Sequence, residues 1–136
     1  MYEFINLNEH SEYVKLLDII AKKTKYIEYV IIDSDDTKLL DCFEEDIMFR
    51  KNTNKWWGTK ISQSSTLYKI KASSKLFTFL KKFETFCIQI TNNLGDCVQF
   101  TDFGINDIAF FDDKTEPILF TTTHEGNILL REDIKF

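Results

Sequence analysis

The stretch 96–131, DCVQFTDFGINDIAFFDDKTEPILFTTTHEGNILLR, constrains the fold more than any other part of the chain. Val98 and Phe100 alternate with Gln99 and Thr101, and 108–111 and 118–120 are short apolar runs rich in Ile and Phe. Asp112, Asp113, Lys114 and Thr115 supply turn chemistry between those runs, and Glu125, Gly126 and Asn127 supply it after the second. The pattern specifies a meander of short antiparallel strands. Gly126 is expected at positive φ, as the first central residue of a two-residue hairpin turn with Asn127 second. A sheet with an apolar face must be covered, so the upstream sequence has to provide the cover.

It offers two helices. In 9–23, Tyr13, Leu16, Leu17 and Ile20 fall at i, i+3, i+4 and i+7 and share one face. Asn8 is the expected N-cap, and Glu9 and Glu12 lie in the first turn, where the helix dipole favours acids. In 75–83, Leu76, Phe79, Leu80 and Phe83 repeat that spacing behind a cap at Ser73 or Ser74. Strands are expected at 26–33 (YIEYVIID), at 66–72, and as a pair at 86–91 and 96–101 joined by Asn93, Leu94 and Gly95. The register of that pair sets Ile88 against Phe100 and Ile90 against Val98. After a turn at 34–37, residues 38–43 are expected to return as a strand, and 47–49 form another short one. The polar stretch 50–65, RKNTNKWWGTKISQSS, has no period and reads as a long loop carrying Trp56 and Trp57. The fold class is therefore α+β: one domain, a twisted antiparallel sheet with an N-terminal helix and a second short helix on one face.

Charge is partitioned along the chain. Residues 26–50 hold eight acids against two bases, 51–85 hold eight lysines against one acid, and 86–136 hold nine acids against three bases. The net charge of −5 opposes non-specific binding to nucleic acid or anionic membranes, so neither is expected as a partner. No apolar run approaches the roughly 20 residues needed to span a bilayer. The N-terminus lacks the basic region of a secretory signal. Three cysteines, Cys42, Cys87 and Cys97, without metal spacing suit reduced thiols in a cytoplasm.

Catalytic chemistry finds little support. There is no phosphate-binding glycine loop, GxSxG, HExxH or CxxC. His124 has no second histidine at metal-ligand spacing, and His10 lies near a helix start. Asp33, Asp35 and Asp36 begin like a calcium loop, but the positions for its glycine and final acid hold Lys38 and Glu44. Asp112 and Asp113 with Asp107 could supply paired carboxylates for acid–base work, but adjacent acids in a hairpin turn are more readily solvated. No enzyme activity, metal or cofactor is expected. A regulatory adaptor would share the acidic surface and the tryptophans.

Residues 107–126, DIAFFDDKTEPILFTTTHEG, resemble the C-terminal hairpin of small bacterial immunity proteins: a strand, an acidic turn, then Leu119, Phe120, Thr121, Thr123, His124, Glu125 and Gly126. The resemblance covers about a sixth of the chain and rests on strand and turn residues. It implies an intracellular protein that binds and blocks a cognate toxin domain of a contact-dependent inhibition system. A basic nuclease is the expected class of toxin, because holding phosphates demands positive charge. The expected contacts are Glu44, Glu45 and Asp46 on one segment, Asp112, Asp113 and Glu116 on the hairpin turn, and Trp56 or Trp57 as the desolvated anchor.

Overall fold

The computed structural model describes residues 1–32, 38–57, 59–87, 103 and 106–136. The hairpin expected at 86–101, the turn at 34–37, the Asp33–Asp36 acids, Phe100 and Cys97 lie wholly or mainly outside them. The described chain runs β1 (Tyr2–Ile5), α1 (His10–Ala21), β2 (Tyr26–Ile32), α2 (Lys38–Cys42), β3 (Ile47–Trp56), β4 (Thr59–Lys71), α3 (Ser74–Leu80), β5 (Asp107–Phe111), β6 (Pro117–Thr122) and β7 (Asn127–Arg131). The strands form one antiparallel sheet in the order β1-β7-β6-β5-β2-β4-β3. The meander β5-β6-β7 is its C-terminal half, as the alternating runs require. β2 joins that half to the β3–β4 hairpin by pairing with both β5 and β4.

One sheet face meets the helices. Ile27, Tyr29, Ile70, Ile108, Phe110, Leu119, Ile128 and Leu130 merge there with Tyr13, Leu16, Leu17 and Ile20 of α1, Leu39 and Leu40 of α2 and Leu76, Phe77 and Leu80 of α3 in one core. The four α1 residues are wholly buried, so that face is as its spacing requires. The Glu12 carboxylate caps α1 by accepting from the backbone N–H of both Glu9 and Asn8, at 3.1 and 2.9 Å. The cap position is thus Glu9, one residue later than expected. Tyr13 donates through the core to the Leu80 carbonyl at 2.6 Å, tying α1 to the end of α3. Asp18 and Lys81 make a second, surface tie between the same elements. The Ser73 hydroxyl accepts from Leu76 N–H and starts α3 as expected.

Four expectations are corrected. Residues 38–43 do not return as a strand; α2 forms there because Leu39, Leu40 and Phe43, at i, i+1 and i+4, all pack into the core from one helical face. Residues 50–65 are no loop, for β3 and β4 pair from Ile47 and Ile70 out to Trp56 and Thr59. α3 turns Phe77 inward with Leu76 and Leu80, so Phe79 lies at the border of that face, and Phe83 falls beyond the helix end at Leu80; both are partly buried. Gly126 has the expected positive φ of 68°, but with ψ 28° it closes a 3-10 turn over Thr123–Glu125. A two-residue hairpin turn is therefore not the connection between β6 and β7.

The opposite sheet face carries a smaller cluster of Tyr26, Val30, Leu67, Ala109, Phe111 and Phe120, with Tyr2 and Leu129 at its border. The end of the long β3–β4 hairpin covers part of it. β4 outruns β2, whose last pair is Ile32 with Ser65, and the hairpin beyond this point turns back over the sheet. Trp56 lies within the cluster, and its indole N–H donates to the Thr121 carbonyl at 2.6 Å.

Candidate functional site

The hairpin end brings Trp57 to the open face as well. Its ring lies 5.6 Å from that of Phe111 and 6.1 Å from that of Phe120, and it remains 37 % exposed. Its indole lies near the Glu28 carboxylate on β2 and favours the ionised form of that group. Burial raises the pKa of that carboxyl, an effect offset in part by Lys51, Lys69 and the indole. Lys69 also sits 4.0 Å over the Tyr26 ring. Of the two tryptophans, Trp56 is thus held inside the fold at 6 % exposure, and Trp57 is the accessible one.

Phe111, against which Trp57 packs, leads directly into the β5–β6 turn. Asp112 organises that turn. Its Oδ1 accepts from the N–H of Lys114 at 2.9 Å and of Glu116 at 3.0 Å, while Oδ2 accepts from Arg131 Nη1 at 2.8 Å. Burial raises the Asp112 pKa, but the Glu116 N–H, the Arg131 guanidinium and the Lys114 N–H outweigh it, and the net shift is downward. Thr115 takes a positive φ of 62° at the turn. Asp113 and Glu116 project into solvent, and the Glu116 carboxylate only approaches Arg131, at 3.9 Å. Arg131 is held chiefly by Asp133, at 2.6 Å. A polar cleft of about 640 Å³ opens beside the turn, with Lys22, Lys23, Lys25 and Lys114 interleaved among Asp112, Asp113, Glu116 and Asp133. The acids on this turn therefore face a mixed-charge surface.

Glu44, Glu45 and Asp46 form a 3-10 turn that leads into β3. Glu44 and Glu45 are exposed and Asp46 is half-buried. The registers place both acidic segments at the same end of the sheet: Ile47 opposes Ile70 near the end of β4, Lys71 opposes Tyr26, and Tyr26 opposes Phe111. Three strand spacings separate them, roughly 14 Å. The structure thus brings Trp57 beside the 112–116 turn and sets Glu44 and Glu45 farther along the same rim.

Asp107, weighed from the sequence as part of a possible carboxylate pair, is buried at 1 % exposure in β5. Its Oδ1 accepts from the Thr121 hydroxyl at 2.9 Å and the Thr123 N–H at 2.8 Å, which makes it a brace for the β6–β7 connection. His124 lies in the 3-10 turn of that connection. His10 stacks on Tyr13, and its Nδ1 lies 3.0 Å from the Glu84 carbonyl. Cys42 is an exposed free thiol, and Cys87 is buried. Among the described residues no three His, Cys, Asp or Glu side chains gather as a metal ion would require. No described helix is long and apolar enough to cross a membrane. Comparison with known protein families, with curated proteins and with solved structures gives no match.

The sequence singled out Trp57, Asp113 and Glu116, but gave no sign of Glu28 as the neighbour of Trp57. An acid in the middle of an apolar strand was the available signal: at position 28 it interrupts YIEYVII.

Proposed function

We propose that this chain is a cytoplasmic, non-catalytic inhibitor of the immunity-protein class, which binds and neutralises a cognate toxin domain through Trp57, Asp113 and Glu116. The observation that supports this reading is the position of Trp57, partly exposed on Phe111 and Phe120, next to a turn whose Asp113 and Glu116 side chains face solvent. A rigid indole at the border of an apolar patch becomes a strong anchor once a partner desolvates it. Acids around it speed the approach of a basic domain and select against acidic partners. A nuclease toxin fits, since it must carry positive charge to hold phosphates. Glu44 and Glu45 extend the acidic rim. Trp56 and Asp112 act from within: they hold the hairpin and the turn in place for the residues that make contact.

The test is protection of cells that express the cognate toxin domain, with binding kinetics on the purified pair. Reversing charge at Asp113 and Glu116 should slow association and flatten its salt dependence. Trp57→Ala should leave association nearly unchanged and speed dissociation by roughly 30-fold, the equivalent of a hot-spot loss of about 2 kcal/mol. Folded protein carrying all three substitutions that still protects as well as wild type would remove this interface. Wild-type protein that protects against none of the toxin domains encoded beside it or delivered by neighbouring strains would remove the function.

A further inference from the structure

The β3–β4 hairpin differs in charge from everything around it. Residues 47–71 carry six Lys or Arg and no acid, whereas the rest of the chain holds eleven bases against twenty-two acids. β3 is the last strand on its side of the sheet, and no described strand pairs with its outer edge. Alternate residues of such a strand turn N–H and C=O outward, ready to pair with a chain laid alongside. Proteins commonly blunt an edge of this kind with cations and bulges. β3 has Arg50, Lys51 and Lys55, and its register shifts between Ile47 and Phe49 and between Thr53 and Lys55. Blunting does not explain the neighbouring apolar side chains. Met48 and Phe49 are 59 % and 50 % exposed on that same strand. Between the two shifts, 49–53 pairs regularly with β4, a length typical of strands in sheets.

We infer that β3 is a docking edge that accepts an extended acidic segment of a partner protein as an eighth strand. Backbone pairing would supply the shared affinity, apolar side chains would lie on the face of Phe49, and acids would lie on the other face beside Arg50. A second copy of this chain fits poorly, since antiparallel self-pairing across 50–51 sets cations against cations. A nucleic acid also fits poorly, because a polyanion following the edge runs into Glu44, Glu45 and Asp46 immediately before the strand. A short peptide strand stops before them. The inference needs a protein partner but not a toxin, and the edge contains none of the residues assigned to the toxin-binding surface.

The experiment uses the whole chain and a synthetic peptide of about eight alternating glutamates and valines, a length that suits one strand. Three further probes accompany it: the same peptide with a central proline, its lysine-for-glutamate version, and a single-stranded oligothymidylate. The acidic peptide should bind and protect backbone amides of 49–53 from hydrogen exchange. The proline version should bind about tenfold more weakly, because proline breaks the ladder. The lysine version should not bind. Chain carrying Arg50→Glu should lose the preference for the acidic over the basic peptide, with circular dichroism confirming the fold. Amide protection in the wild-type protein tests the edge without any substitution. Equal binding of the proline peptide, tighter binding of the oligothymidylate, an unchanged preference in the folded variant, or no binding of the acidic peptide would each overturn the inference.

Discussion

Asp112 shows how one carboxylate can be structural where its sequence neighbours are not. It is 8 % exposed and accepts two turn N–H groups and one Arg131 N–H, whereas adjacent Asp113 stands in solvent. Asp112→Asn keeps an oxygen for the turn amides but loses the charge facing Arg131. The expected cost near pH 7 is about 1.5–3 kcal/mol, the range for a hydrogen bond to a charged group. The pH dependence has a definite sign. The folded pKa lies below the ordinary value of about 3.9, so the unfolded chain binds the proton more readily. The stabilisation is complete above that value and is lost as pH falls through the lower, folded one. Denaturant melts of wild type and variant should therefore show a stability gap that is constant from pH 7 to about 5 and closes toward pH 2. A gap that persists undiminished at pH 2 would mean that the Arg131 contact does not stabilise through charge.

The β3–β4 hairpin carries the corresponding argument for an element. Beyond Ser65 it leaves β2 behind, and Trp56 reattaches it to the sheet through Thr121. Trp56→Phe keeps most of the ring and removes the donor, so the buried Thr121 carbonyl loses one of its partners. It should cost about 1–3 kcal/mol. Trp56→Ala should cost about 3–5 kcal/mol through cavity formation and should also raise the exposure of Trp57, visible as a red-shifted emission of the remaining indole. A variant with unchanged stability and emission would show that the hairpin end is held by other contacts. This element was also the least legible in the sequence. Residues 50–55 are solvated on both faces, so they lack the alternation that marks a half-buried strand. The meander strands were legible because each has neighbours that bury one or both faces. α1 was legible because all four apolar residues of one face are buried. α2 failed for a different reason: six residues allow either period, and only the core above the sheet favours the helix. Of the candidate site, Asp113, Glu116 and an exposed tryptophan could be read from residue type and turn position. That Trp57 is the accessible indole follows from the path of the hairpin end, which no local pattern encodes.

At the scale of the whole molecule, one main core joins all three helices to the sheet, and Cys87 lies in it at 3 % exposure. Its neighbour Phe86 packs on Tyr13 of α1 at 4.9 Å and on Phe110 of β5 at 5.9 Å, so this segment is wedged between the helical layer and the strands. Opening a route to the Cys87 thiol requires those layers to part. Cys42 needs no such opening, since it is exposed at the end of α2. The two thiols therefore serve as internal probes of surface and core. In a Cys97→Ser background an alkylating reagent should modify Cys42 at the rate of a free thiol and Cys87 at least about a thousandfold more slowly, as expected of a core with several kcal/mol of opening free energy. The Cys87 rate should rise with denaturant along the same slope as global unfolding, because a shared core makes helices and sheet a single cooperative unit. Wild-type protein denatured without reductant should expose three reactive thiols. A denatured population with only one would reveal a disulfide and contradict the reduced state. A Cys87 rate that is slow but independent of denaturant would place its opening in a local fluctuation, and the helical layer would then be separable from the sheet.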